Sequence, residues 1–391
     1  MNPSQPCSDQ ANASPPSGQE TPIAAQSLHK DAPTLAPALT IVGGELALGR
    51  PDERVPQKWE EAIEQITQGL GIQAGWVTAT PAPNLIQRAR RAVGADREAQ
   101  APIFAPWRLV SPTVFQPGQT YESEARAKWV ASYLFDFGPA CTAKNGPVDL
   151  ALMSPCPEVC HSDDSQTGPM PRLSTLASMV RAAAAEGRTN LAIIVHEATR
   201  ATIAARLLAF DPSLNEASLD VEFIAMEEAV VAIQRGAFEW DAVITMPELR
   251  GVLFAMLAQS TRVTGPWPML WFDRGVSLVT SEALPGTTRS NGLDTTALLQ
   301  ALALLAKHTG RHYAARHLYE SWAAVRDAGV VTTARHSSAP YVNEIDEAAF
   351  IDQATRNPPA RTRPLPSWKG LAPEESGTRK AGTSVSLRLV T

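Results

Sequence analysis

Residues Ile224–Ala258 read IAMEEAVVAIQRGAFEWDAVITMPELRGVLFAMLA, and this stretch decides the fold class. Met226–Arg235 spaces Ala229, Val230 and Ile233 along one side of a helix. Glu248–Ser260 does the same with Val252, Leu253, Met256 and Leu257, because residues one, four and five apart share a face of a 3.6-residue turn. Between them, Asp241–Met246 is short, apolar and β-branched, as a strand covered on both faces should be. The stripes suit burial against a sheet, and they also suit a subunit interface built from the helix pair.

Outward from this unit the alternation continues. Strands are expected at Ala38–Val42, Gln73–Thr78, Val148–Met153, Leu191–His196, Val221–Ala225 and Val276–Thr280. Helices are expected at Gln57–Gly69, Asn84–Val93, Tyr121–Phe135, Ser174–Glu186, Thr199–Phe210, Thr295–His308 and His312–Ala328. Strands alternating with helices imply an α/β fold with a largely parallel sheet. Residues 95–120, with four prolines between Ala101 and Gln119, read as a long irregular connection. Residues 1–38 and 337–391 hold 13 of the 32 prolines and little periodic apolar pattern, so both read as disordered tails, apart from a short helical pattern at Asn343–Ala354.

Composition excludes several classes. The 391 residues are 44% hydrophobic and 19% charged, with 34 Lys plus Arg against 40 Asp plus Glu and a net charge of -6. That balance suits a globular chain with a real core. It does not suit a nucleic-acid binder or a polybasic membrane anchor. Four cysteines are too few for a disulfide-built fold. The first twenty residues lack a basic and apolar leader, and the longest apolar stretch, Ala297–Ala306, is too short to span a bilayer. A cytoplasmic location is expected.

The order of segments from about Tyr121 to Thr333 resembles the isocitrate/isopropylmalate dehydrogenase family. Trp240-Asp241-Ala242-Val243-Ile244-Thr245 matches that family's Phe-Asp-Val-Ile-Val-Thr strand, flanked by its two helices. Gly146–Met153 resembles its Val-Asp-Leu-Val-Ile-Val strand, and Arg188–Thr199 the strand ending in His-Lys-Ala-Asn. Gly292–Ala328 resembles the closing helix pair. The resemblance covers about half the chain and implies two lobes with a cleft between them. Residues 39–135 and 263–333 would form the larger lobe and 136–262 the smaller, with dimerisation helices, while 334–391 would be mostly disordered.

The family oxidises hydroxy acids with NAD or NADP and a divalent metal, and the resemblance sets its residues on altered positions. The metal aspartates fall on Gly251 and Ala255, and a third, from the partner subunit, on Glu227. The catalytic Lys falls on Glu197 and the neighbouring Asn on Thr199. One substrate Arg falls on Ser154, another near Gly138, and a third corresponds to Lys128. The adenosine loop meets Pro285 and Gly286. The expected cleft lining is therefore Lys128, Ser154, Glu158, Glu197, Thr199, Glu227 and Glu248, with no catalytic residue intact and no metal set. A catalytically silent binding or regulatory subunit is expected, as a homodimer or a heteromer with an intact relative, taking a small-molecule ligand. The alternative is an active NAD(P)-dependent oxidoreductase with altered site residues; NAD or NADP with a divalent metal enters only in that case. Cys156, Cys160 and His161 are soft-metal candidates, but a zinc site needs about four such ligands and Pro155 and Pro157 stiffen the segment.

Overall fold

A computed structural model of the chain describes residues 44–50, 54–78, 101–110, 127–139, 147–162, 169–212, 214, 219–236, 238–263, 265–284, 292–335, 341–359, 364–372 and 387–389. The strands are β1 (Glu45–Arg50), β2 (Gln73–Thr78), β3 (Ile103–Val110), β4 (Trp129–Asp136), β5 (Val148–Pro155), β6 (Cys160–Ser162), β7 (Pro169–Pro171), β8 (Asn190–Val195), β9 (Asp220–Ala225), β10 (Ala242–Thr245), β11 (Trp267–Phe272), β12 (Val276–Glu282), β13 (Val330–Thr332), β14 (Asn343–Ile345) and β15 (Leu387–Leu389). The helices are α1 (Gln57–Gly69), α2 (Leu173–Ala185), α3 (Glu197–Phe210), α4 (Met226–Arg235), α5 (Pro247–Thr261), α6 (Thr295–His308), α7 (His312–Asp327) and α8 (Glu347–Thr355). The expected elements at 38–42 and 84–93 lie outside the described residues.

Eleven strands form one sheet in the order β15-β9-β8-β10-β5-β4-β11-β12-β3-β1-β2. β15, β9, β8, β10 and β5 pair in parallel, and so do β12, β3, β1 and β2. The β4–β5, β4–β11 and β11–β12 pairs are antiparallel. The two parallel blocks therefore run in opposite directions across one sheet, which is the α/β fold expected.

Several segments differ from the sequence reading: the pattern predicts no strand at β1 or β11, and two further central strands read as something else. Residues 129–136, expected as the end of a helix, are β4, and all eight are buried. A strand covered on both faces is apolar throughout, so periodicity does not separate it from a buried helix. Residues 103–110, expected as irregular, are β3. Pro106 is tolerated there because the β12–β3 register shifts between Val279 and Ser281, and a bulge is where a strand accepts proline.

Helix α6 is the core of the described residues: Thr295–Lys307 are all buried. It follows an Asp294 cap whose carboxylate accepts from Ala297 N at 2.8 Å. The expected C-terminal tail is also packed over much of its length. Phe350, Ile351 and Ala354 of α8 are buried, as is Trp368, whose ring stacks on Phe135 at 5.2 Å. Lys369 reaches Asp241 with its ammonium at 2.5 Å and donates its backbone N–H to Asp149 at 2.6 Å. Proline enrichment predicts disorder here, yet Phe350, Ile351 and Trp368 bring buried apolar surface to the described part of this segment.

Candidate functional site at the carboxyl ends of the parallel strands

In open α/β sheets, ligands collect beyond the carboxyl ends of parallel strands, where loops and helix N-termini converge. Here β5, β8, β9 and β10 lie side by side, and α3, α4 and α5 start directly after β8, β9 and β10. Pairing of Thr245 with Ile194 and of Val195 with Ala225 levels the ends of β10, β8 and β9. This register brings Ser154, Glu158, Glu197, Glu227 and Glu248 to one edge.

The side chains there are mostly engaged with one another. Glu248 Oε1 lies 3.3 Å from His196 Nε2, and both are partly exposed. Arg200 bridges Glu197 and Glu228, at 3.0 Å each. Lys128, just before β4, places its ammonium 2.8 Å from Asp273, while its carbonyl accepts from Cys156 N at 2.8 Å. Glu158 and Glu227 are exposed. Burial pushes the Cys160 thiol up to about 12, with the Glu248 and Glu158 carboxylates adding to the shift. That thiol donates to the Cys156 carbonyl at 3.7 Å and is a poor nucleophile, because the thiolate is the reactive form.

Two expected lining residues do not offer their side chains to a ligand. Ser154 is fully buried, and its hydroxyl donates to the Pro155 carbonyl at 3.0 Å. Thr199 is 4% exposed and donates to the His196 carbonyl at 3.0 Å. Both satisfy local backbone, the usual work of short hydroxyl side chains at strand and helix ends. Gly138, near which the resemblance would set an arginine, has φ +89 and would put a Cβ 2.7 Å from the Arg326 carbonyl. Only glycine fits that position. The loop at Pro285 and Gly286 lies outside the described residues, as do the side chain of His161 and residues 163–168.

A divalent metal of the dehydrogenase kind needs several hard oxygen ligands. Gly251 is buried one turn into α5, and Ala255 lines a different cleft, beside Val148–Leu150 at the amino end of β5. Neither carries an oxygen in its side chain. Among the described residues no three His, Cys, Asp or Glu side chains converge on a metal position. The residues present do not fit the metal that the resemblance implies.

Sequence reasoning did not single out His196, Arg200, Glu228 or Asp273 at this edge. The signal was available for His196, which ends an expected strand, and for Arg200, which stands three residues after Glu197 on an expected helix. Asp273 needed β11, which carries Pro268 inside a central strand, and a strand with such a proline is hard to read from sequence.

No protein-family model and no curated protein sequence matches this chain. Solved structures do match it in fold. Isocitrate dehydrogenase from Methylococcus capsulatus superposes with a TM-score of 0.54 at 13% identity, covering 81% of this chain and 99% of that one. The TT0538 protein from Thermus thermophilus gives 0.53 at 12% identity, covering 88% of this chain and 73% of that one. The chain is thus distantly related in fold to an isocitrate dehydrogenase. No helix among the described residues is long and apolar enough to cross a membrane.

Proposed function

We propose that this chain is a catalytically silent relative of the dehydrogenases, a binding or regulatory subunit whose ligand sits at the carboxyl edge of the parallel strands. The observation that carries this reading is the charge balance there. Lys128 is matched by Asp273 and Arg200 by two glutamates, while Glu158, Glu227 and Glu248 add further negative charge. Oxidising a hydroxy-dicarboxylate requires cations that clamp carboxylates and a metal that holds the alkoxide. An anionic substrate would instead meet like charge. A neutral or cationic small molecule suits the edge better.

The test is a paired one. NAD(P)H formation is followed with isocitrate, 3-isopropylmalate, malate and tartrate, with Mn²⁺ and with EDTA. Thermal shift is run in parallel with NAD, NADP, the four acids and neutral and cationic analogues of them, since a ligand of the native state raises the melting temperature. No turnover, with stabilisation by a non-anionic compound, is expected. Steady turnover that EDTA abolishes would overturn the reading.

We also propose that the chain assembles through α4 and α5, as a homodimer or with an intact relative. Ala229, Ile233, Leu253 and Leu257 are spent inside the chain, but Val231 and Val252 remain 43% and 52% exposed. Two exposed valines on adjacent helices support an interface smaller than the full stripes suggest.

A further inference from the structure

The opposite, amino edge of the same strands holds a cleft of about 700 Å³ between the C-terminal halves of α4 and α5 and the start of β5. That volume lies within the range of small-molecule sites, which combine an apolar wall with a few polar groups. One wall is Phe238 against Trp240, stacked at 5.3 Å and 29°. Trp240 is held by its indole N–H, which donates to Glu222 at 3.1 Å. Ile233 and Met256 complete the apolar lining.

The charged groups of the cleft are unequal. Asp149 is already occupied, with Arg188 at 3.3 Å and the Lys369 backbone N–H at 2.6 Å. Glu239 is exposed on the rim. Arg262 also lines the cleft and pairs with no carboxylate among the described residues. Its backbone is unusual: φ is 58 at the position that closes α5, and only Arg262 and Tyr341 among the described non-glycine residues have positive φ. Helices commonly end in this conformation on glycine, because it strains any residue with a Cβ. Here an arginine is held in it at the mouth of a cleft, and strained positions of this kind cluster at binding sites.

We propose that this cleft binds a flat apolar molecule carrying a carboxylate, with the ring against Phe238 and Trp240 and the carboxylate on the Arg262 guanidinium. The site stands apart from the carboxyl edge and does not rest on the function proposed for it. A neighbouring cleft of about 450 Å³ shares Phe238, Glu239 and Trp240 but is lined by Asp220, Glu222 and Glu228, of which Glu222 accepts from Trp240 and Glu228 pairs with Arg200, so a carboxylate is not drawn there.

The test uses the full chain and three probes with one ring: 2-naphthoate, 2-naphthalenemethanol and 2-naphthylmethylamine. Binding is followed by tryptophan fluorescence and by thermal shift. Naphthoate is expected to bind about fivefold more tightly than the alcohol, and the amine no better than the alcohol. Arg262→Gly places glycine where glycine is favoured, so the free protein should melt no lower than the parent. Its affinity for naphthoate should fall about fivefold, to that of the alcohol. Met256→Trp, which fills the cleft, should abolish binding of both. Absence of saturable naphthoate binding, tighter binding of the amine, or an Arg262→Gly protein that keeps the naphthoate preference would each overturn the proposal. The last result would leave Arg262 as a helix-end cation favoured by the dipole alone.

Discussion

Arg250 and Glu282 form an ion pair with neither side chain exposed to solvent. The guanidinium donates to Glu282 at 3.0 and 2.7 Å, to the Ser132 hydroxyl at 2.8 Å and to the Leu152 carbonyl at 3.2 Å. Ser132 in turn donates to Glu282. One residue of α5 is thereby tied to β12, β4 and β5, the strands where the sheet changes direction. Arg250→Met removes the cation and strands a buried carboxylate. Breaking such a pair from one side costs about 3–5 kcal/mol, whereas replacing both partners costs far less. With a urea slope of about 3 kcal/mol per molar, the midpoint should fall by roughly 1–1.7 M. Adding Glu282→Gln should recover part of that loss, with a coupling of about 2 kcal/mol between the two sites. A single variant that loses less than about 1 kcal/mol, or a double variant whose loss is the plain sum, would refute the view that this network sets the position of α5.

The remaining expectations can be checked with the same melts and simple hydrodynamics. His308 has a buried Nε2 without a partner, and burial, with Lys307 and His312 nearby, lowers its pKa to about 3. The unfolded chain, with a pKa of about 6.5, takes up that proton first, so the contribution is complete above pH 6.5 and is lost as pH falls toward 3. Between pH 6.5 and 5 the loss is roughly 2 kcal/mol, and His308→Leu should flatten that slope in urea melts. Trp368→Ala should cost about 3–4 kcal/mol, and a chain ending at residue 336 should melt well below the full chain; an unchanged melting temperature would mean that α8 and Trp368 do not pack in solution. Val252→Glu should convert the assembly to monomer by light scattering at tens of micromolar, and a parent that is already monomeric would refute the α4/α5 interface. The combined Gly251→Asp, Ala255→Asp and Glu197→Lys chain should gain no Mn²⁺ affinity by calorimetry, because position 251 is buried and position 255 opens on the other cleft.

The last expectation marks where sequence reading stops. The periodic elements are legible: the pattern predicts a strand over Gln73–Thr78 and a helix over Met226–Arg235, and β2 and α4 have those bounds. What failed were elements whose chemistry is uniform or interrupted. β4 is buried along its whole length, with no period-two alternation, and passes for a helix, and β3 and β11 carry prolines in central strands. The carboxyl edge is legible in outline, since a glutamate at the junction of an expected strand and the next expected helix must lie there, as Glu197 and Glu248 do. The direction of each side chain was not. Thr199 stands two residues from Glu197, about half a turn round α3, so one is buried and the other exposed. Carrying site residues across a distant likeness requires register to within one residue on a helix, and 12–13% identity fixes only the path of the chain. Gly138 makes the point most sharply, because its backbone admits no side chain.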